Sequence, residues 1–440
     1  MIESRHTTDK SFSLFKEAEK LIPGGVNGNI KFREPYPLFL SRASGSHVWD
    51  VDGNEYVDYV LSYGALILGH GHPAVLKALR NIADSLGTTL FGNPTPQESE
   101  FAEILLRIFM KDGMLRFTTS GLEATLLANR LGMAKSGKRK IAKFDGHYHG
   151  ANPFLLANYR PKKRGKEGAL EKEADSAEVR GDILDDVVVL PFNDIDGTKR
   201  ALEREDVSSV ILEPFEDGYI PAKRDFMHFL RKYTEENGII LVFDEVKTGF
   251  RIRLGGAVEY YGIKPDMICL GKIIGGGAPI GAVIGKPEIM ELLDPRNRNK
   301  VFHSGTYNGN PISITLGMAT VSELMEGNNF SRISEAATTL RKLISQTLDE
   351  FGVEHRTYGE GGVVNYTLSK EEVHTYRDIS DENMKERKRI DSEMMKEGIY
   401  LIPASRYSMS LAHTEGDIDL TVNAMRRVLG SGTSSKEKPK

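Results

Sequence analysis

The sequence predicts an α/β protein built on a mainly parallel sheet, with a smaller α/β unit beside it. From Leu115 onward, short apolar runs alternate with stretches of helical spacing, which is the pattern of βαβ units. Two of those runs, Ile239–Phe243 and Met267–Leu270, are unbroken, as strands covered on both faces should be. At 440 residues the chain exceeds one ordinary domain, so a large domain with a satellite is expected.

Taken in order, Asp9–Leu21 carries Phe12, Leu14, Phe15, Ala18 and Leu21 near helical spacing and stops at Pro23-Gly24-Gly25. The alternation around the turn Asp52-Gly53-Asn54 predicts a hairpin joining Val48–Val51 to Tyr56–Tyr59. Gly69-His70-Gly71-His72-Pro73 opens a helix through Leu86, and Gln97–Phe109 forms another. The two histidines lack nearby acidic or thiol partners, so turn residues rather than metal ligands are expected. Strands are expected at Leu115–Thr118, Lys140–Phe144, Val187–Leu190, Ser209–Leu212, Ile239–Phe243 and Met267–Leu270, with helices at Leu122–Lys135, Thr198–Glu205 and Arg224–Glu236. The mixed charges of 160–186 predict a solvated insertion. Helices around Ile312–Glu326, Ser334–Phe351 and Asn383–Glu397, interleaved with strands at Val363–Leu368, Ile399–Ile402 and Tyr407–Leu411, give the second α/β unit. The expected organisation is an N-terminal segment (1–65) packing with the small domain, a large domain (66–311), the small domain (312–429) and a disordered polar tail (430–440).

Composition narrows the function classes. Hydrophobic residues make up 40%, charged residues 27% and the net charge is -4, so no global basicity points to nucleic acid. The single cysteine, Cys269, excludes an internal disulfide and lies in an apolar run, where an inert buried thiol is expected. The opening MIESRHTTDKSF lacks the apolar core of a signal peptide. No run approaches the roughly 20 apolar residues of a membrane helix. A cytoplasmic protein without a membrane partner is therefore expected.

The chemistry gathers in Gly238–Gly285. One apolar run delivers Asp244 and Glu245, the other delivers Lys272 and a glycine cluster, Gly275–Gly277. Charges at the ends of buried strands, where α/β sheets place their ligand crevices, are costly without partners. Pyridoxal phosphate would use both, taking the Lys272 amine at its aldehyde and Asp244 at its protonated ring nitrogen. The glycines would then let backbone approach the cofactor. The alternative is a capping aspartate and a solvated loop lysine. Two hydroxyl-rich turns before helices, at Thr118-Thr119-Ser120-Gly121 and His303–Pro311, offer N–H groups and hydroxyls to a phosphate, or act as an N-cap and a turn. Phe144–Gly150 follows a strand and supplies Tyr148, an aromatic able to stack on a flat ring.

These motifs together resemble the class III pyridoxal-phosphate aminotransferases of fold type I, and within them the glutamate-1-semialdehyde aminomutase branch. The resemblance runs from about Ser11 to Leu429 and includes IPGGVN at Ile22, LGHGHP at Leu68, SGLEA at Ser120, FDGHYHG at Phe144, ILEP at Ile211, FDEVKTGFR at Phe243, GKIIGGGAPIGA at Gly271 and GTYNGNP at Gly305. It implies a large domain with a seven-stranded, mainly parallel sheet. It also implies pyridoxal 5'-phosphate as cofactor, Lys272 as the Schiff-base lysine and Asp244 as the pyridinium partner. Ser120, Gly121 and Leu122 would hold the phosphate, Tyr148 would stack on the ring and Glu213 would support the site floor. Thr306 would reach the phosphate of the other subunit of a homodimer with shared active sites.

The departures from that branch fall in the substrate region. Where its members carry an arginine in a GGVNSPVR-like segment, this chain has Gly28, Asn29, Ile30 and Lys31, and Lys31 is a poor substitute for a bidentate arginine. Leu122 stands in place of a threonine, Phe215–Gly218 in place of a segment with an asparagine, and a gate glutamate is replaced near Ser405. Arg406 is a second candidate for a substrate carboxylate, with a surface role as its alternative. The expected activity is amino transfer between a small-molecule amino donor and acceptor, with β-amino-acid transaminases as a comparison. Alternatives are the aminomutase itself, an amino-acid epimerase, or a cofactor-binding protein without catalysis.

Overall fold

In the computed structural model, which describes residues 7–159, 161 and 170–433, seven strands form the principal sheet. Their order is Met114–Thr118, Gly281–Gly285, Met267–Gly271, Ile240–Asp244, Val207–Leu212, Lys140–Phe144 and Val187–Leu190. Gly281–Gly285 runs antiparallel to both of its neighbours, whereas the pairings from Met267–Gly271 through Val187–Leu190 are parallel. Every residue of Val207–Leu212, Ile240–Asp244 and Met267–Gly271 is buried, which explains why Ile239–Phe243 and Met267–Leu270 read as unbroken apolar runs; Val207–Leu212 buries Ser208 and Ser209 as well, with Ser208 Oγ donating to the Lys140 carbonyl at 2.8 Å.

The two faces of the sheet are separated by the strand period of two. Ile211, Val242, Cys269 and Val283 pack with Ala124, Leu127, Ala128 and Leu131 of the helix Gly121–Ser136. Val210, Leu212, Leu241 and Phe243 face the other way, onto Phe226, Met227 and Leu230 of the helix Arg224–Glu236. The seventh strand, Gly281–Gly285, was not among the expected elements. It is a short apolar run set between glycines directly after the Gly275–Gly277 cluster, where composition signals a loop.

A second body of structure combines both ends of the chain. The hairpin His47–Asp50 with Glu55–Asp58 forms as expected, and Ile399–Tyr400 adds to it in parallel, with Ile399 opposite Val57. Leu340, Ile344 and Leu348 of the helix Asn329–Glu350 share a core with Val422, Met425 and Val428 of the helix Glu415–Thr433. That last helix runs to Thr433, so the first residues of the tail expected from Gly430 are helical. Residues 434–440, and 160 and 162–169 of the charged insertion, lie outside the described residues. Of the histidine pair at the helix start, His70 bonds Asp58 at 2.8 Å and His72 accepts the Ala74 N–H at 3.3 Å. Among the described residues, no helix is long and apolar enough to cross a membrane.

Candidate active site

Lys272 leaves the end of Met267–Gly271 in a left-handed conformation, φ 48°, and starts a short 3-10 turn through Gly275. A non-glycine residue there persists only when its surroundings enforce it. Its side chain enters a cavity of about 260 Å³ whose wall also holds Tyr148, Tyr159, Lys247, Arg33 and Arg406. Among the described residues no carboxylate pairs with the Lys272 amine. Burial pulls its pKa down to about 8, and Lys247 and Arg406 push the same way against Asp244 and Glu213. The amine is thereby brought within reach of its neutral, nucleophilic form near physiological pH.

Asp244 ends the neighbouring strand, buried. Its Oδ1 accepts the Val246 N–H at 3.0 Å, and its Oδ2 lies 2.7 Å from His149 Nδ1. Glu245, the next residue, turns away to accept the Ala257 and Val258 N–H groups at 2.6 and 2.9 Å, capping the helix Gly256–Tyr261. The two adjacent carboxylates thus have separate duties.

Ser120 is the N-cap of Gly121–Ser136, its oxygen accepting the Glu123 N–H at 3.2 Å, while Glu123 reaches back to the Thr119 N–H at 2.7 Å. The cap and phosphate readings of this turn are compatible. Ser120 Oγ accepts within the cap and keeps its O–H as a donor, and the first-turn N–H groups of Gly121 and Leu122 have no intrahelical acceptor. Three segments converge at this turn because two residues lack a side chain. A Cβ on Gly121 would sit 2.8 Å from Val246 Cγ1, and one on Gly271 would sit 3.4 Å from Gly121 Cα. The phosphate-type turn, the Asp244 loop and the residue before Lys272 are therefore in mutual contact.

A chain of polar contacts links the remaining residues. Glu213 accepts the Tyr148 N–H at 2.9 Å and pairs with Lys247 at 2.7 Å. Lys247 also bonds Asp217 at 3.2 Å, and Arg406 donates to the Asp217 carbonyl at 2.9 Å. Burial alone would lower the Lys247 pKa, but Glu213 and Asp217 hold it above the usual lysine range. The Lys247 ammonium stands 5.8 Å from the centre of the half-buried Tyr148 ring.

Not every expectation maps onto this cluster. Lys31 lines a different, larger cavity, and Arg33, two residues on, lines both. Thr306 is exposed on its turn, between Phe302 and Tyr307, which are 72% and 63% exposed. The glycines after Lys272 do not open backbone toward the cavity. A Cβ on Gly276 would meet the Leu316 carbonyl at 2.6 Å, so Gly276 seats the turn against the helix Pro311–Met325, while one on Gly275 would meet Ile280 at 2.8 Å, just before the strand Gly281–Gly285. His149 was missed by sequence reasoning. Its only signal was position, directly after Tyr148 in the His147-Tyr148-His149 triplet of the loop that follows the strand Lys140–Phe144.

Residues 31–429 match the family model described as "Aminotransferase class-III". The chain belongs to the class III aminotransferases. Its relatives include a glutamate-1-semialdehyde 2,1-aminomutase of Thermodesulfovibrio yellowstonii, 39% identical, the match covering 96% of this chain and 99% of that one. Among solved structures, an omega-transaminase from Sphaerobacter thermophilus superposes with a TM-score of 0.92 at 33% identity, covering 96% of this chain and 98% of that one. A β-phenylalanine aminotransferase from Variovorax paradoxus gives 0.84 at 30% identity, covering 97% and 95%. The class III site must accept an aldehyde, a cationic ring nitrogen and a phosphate. The donors present suit all three: an amine lowered to about 8, a buried carboxylate that among the described residues has no lysine or arginine paired to it, and a helix start whose first N–H groups lack intrahelical acceptors.

Proposed function

We propose that the protein transfers an amino group between an amino acid, α or β, and a keto acid or aldehyde, using pyridoxal 5'-phosphate. The observation that carries this reading is the Lys272 amine, lowered to about 8 without a paired carboxylate and in a cavity whose other cations suit an anionic substrate. Bound there, the cofactor supplies an aldehyde to carry the amino group and a ring to accept the electron pair released at carbon. Lys272 Nζ takes a proton from the substrate carbon and returns it, a task suited to a group whose pKa lies near working pH. Asp244 keeps the ring nitrogen protonated. Ser120, with the N–H groups of Gly121 and Leu122, holds the phosphate, Tyr148 covers the ring face, and Glu213 fixes Tyr148 and Lys247 below it.

Thr306 is assigned to the partner subunit's phosphate site in a homodimer, a role supported by its exposure beside Phe302 and Tyr307. The pairing of Ile399–Tyr400 with Glu55–Asp58 supports one small domain made from 1–65 and 312–429 on a large domain of 66–311. The aminomutase is the second reading, favoured by the 39% identity to a protein of that name. Against it stand Gly28–Lys31, Leu122 and Ser405, which depart from that branch at the substrate. The deciding experiment incubates the protein with the cofactor and a panel of α- and β-amino acids, following conversion of the cofactor's absorption to its amine form. Conversion with amino acids and no product from glutamate-1-semialdehyde is expected; turnover of glutamate-1-semialdehyde alone sinks the transaminase reading.

A further inference from the structure

Tyr148 sits on a loop that leaves the strand Lys140–Phe144 and is closed at its neck. The Gly146 N–H donates to the Asn158 carbonyl at 2.7 Å, and Asn158 Nδ2 donates to Asp145 Oδ1 at 2.8 Å. Lys143, buried in the strand, donates to the His147 carbonyl at 2.9 Å and to the Ala157 carbonyl. Between them the residues are held in turn. The Glu213 N–H donates to His147 Nδ1 at 2.9 Å, the Glu213 carboxylate accepts the Tyr148 N–H, and Asp244 binds His149. A displacement of Asp145 is therefore passed to Tyr148, three residues on.

Asp145 is where a distant segment takes hold of this loop. The short 3-10 turn Tyr376–Asp378 lies between the strand Val363–Thr367 and the helix Asp381–Lys396. From it Arg377 donates Nε to Asp145 Oδ2 and Nη2 to Asp145 Oδ1, the latter at 3.1 Å, a two-point grip on a buried carboxylate. The Tyr376 hydroxyl adds a donor to Oδ2 at 3.2 Å, and the Tyr376 N–H donates to Glu216 at 3.1 Å. The turn and the loop meet without space for a side chain. Gly146 is left-handed, φ 86°, and a Cβ there would collide with Glu216 Oε1 and the Tyr376 ring. The turn is itself fixed, since Asp378 accepts the His374 and Thr375 N–H groups at 2.7 and 2.8 Å, and the His374 carbonyl accepts Asn193 Nδ2 at 2.8 Å. The helix that follows it carries Met384 and Lys388 into the wall of the Lys272 cavity.

We propose that Arg377 is a positioning residue for the cofactor ring: by holding Asp145 it sets the place of Tyr148 and of His149 on Asp244, and it ties both to the helix Asp381–Lys396. This rests on the amino-transfer reading and adds a residue to it. Arg377 does not line the Lys272 cavity, so its effect passes through Asp145 and the loop. An arginine suits the task better than a lysine, because two parallel N–H groups fix direction as well as distance. Its side chain is 18% exposed, so its removal opens no cavity in the core. What is lost is the cation that, among the described residues, pairs with Asp145. A buried carboxylate deprived of it must turn toward water or take up a proton, and either change shifts the loop.

The test compares the wild-type holoenzyme with Arg377→Leu, Arg377→Lys, Asp145→Asn and the double variant Arg377→Leu/Asp145→Asn. For each, kcat and KM with an amino donor that wild type accepts are measured, together with the visible circular dichroism of the bound cofactor and the unfolding temperature. Arg377→Leu is expected to lower kcat by on the order of 10-fold, the scale of a lost hydrogen bond to a charged group. KM should stay near wild type and the visible dichroic band should weaken. Arg377→Lys should recover part of both losses. The double variant should lose no more than the more impaired single one, because both substitutions break one link. A lowered unfolding temperature with kcat and the visible band unchanged would make Arg377 a structural residue and overturn the proposal. Losses that multiply in the double variant would overturn it too, since Arg377 would then act by another route. Should Arg377→Leu fail to fold, Arg377→Lys and Asp145→Asn are judged on the same kcat and dichroism. Conversion of the cofactor by wild type alongside a negative result leaves amino transfer standing without the link. No conversion by any donor would sink amino transfer, and the dichroic band of the variants would still decide whether Arg377 places Tyr148.

Discussion

His149 Nδ1 lies 2.7 Å from Asp244 Oδ2, with both side chains buried. An ionised carboxylate can only accept, so the histidine donates, and Asp244 is held by this bond and by the Val246 N–H. Among the described residues, the far nitrogen, His149 Nε2, has no hydrogen-bond partner. Among the described residues, Asp244 is therefore the polar contact that orients the ring, and the ring in return fixes the carboxylate.

The first prediction follows from that dependence. Asp244→Asn removes the anion and should lower kcat by on the order of 100-fold or more, the scale of a lost preorganised charge contact. His149→Ala leaves the anion but frees it to rotate, so a smaller loss of roughly 10-fold is expected. His149→Asn, which can still donate, should recover part of it. Steady-state rates of the three variants, read with the pH titration of the cofactor's absorption, check the ordering.

Lys272 sets the second prediction. Because its amine is lowered from 10.5 to about 8, cofactor uptake by the apoprotein should rise with pH through about 8 and level off above it. An ordinary lysine would keep rising well beyond. The same shift has a stability consequence. Between pH 8 and 10.5 the unfolded chain retains a proton that the folded chain has released, so apoprotein stability should increase with pH across that window. Denaturant midpoints of wild type and Lys272→Met, compared at the two ends of the window, test it; equal pH dependence in the two proteins would contradict it.

Much of the frame was legible because the physics was local. Strands buried on both faces tend to be nearly continuous apolar runs, and Ile239–Phe243 and Met267–Leu270 advertised themselves in that way. Gly281–Gly285 did not, since a short strand flanked by glycines differs from a loop only through its neighbours in space. Lys272 and Asp244 were visible as charges at strand ends. His149 was not, because its meaning lies in a partner 95 residues away. The glycines after Lys272 carried the right signal of close approach, but the approaching surface is the Leu316 carbonyl of a helix.

Ser120 offers a way to separate two roles of one side chain. Ser120→Ala loses the cap and should cost about 1 kcal/mol of stability. It should also weaken cofactor retention. Ser120→Asp preserves the cap, since its carboxylate also accepts from the Glu123 N–H, yet places an anion where the phosphate is assigned. Thermal unfolding near wild type with cofactor retention worse than in Ser120→Ala is therefore expected for the aspartate variant. Recovery of both properties would show that the hydroxyl serves the helix alone.

Gly276 tests the corrected role of the glycine cluster. It is left-handed, φ 57°, and a Cβ there would lie 2.6 Å from the Leu316 carbonyl and 2.5 Å from Thr320 Oγ1. Both the backbone conformation and the contact oppose a side chain, so Gly276→Ala should destabilise by more than the roughly 1 kcal/mol of the conformational term alone. The neighbouring Gly277, at φ 100°, meets only the flexible end of Leu66 at 3.1 Å and should tolerate alanine better in contact terms. Because the turn begins at Lys272, displacement of Gly276 should also move the amine. The expected signature is a lowered unfolding temperature together with a shifted pH midpoint for cofactor uptake. A loss of stability with the midpoint unchanged would show that the helix contact and the lysine are mechanically independent.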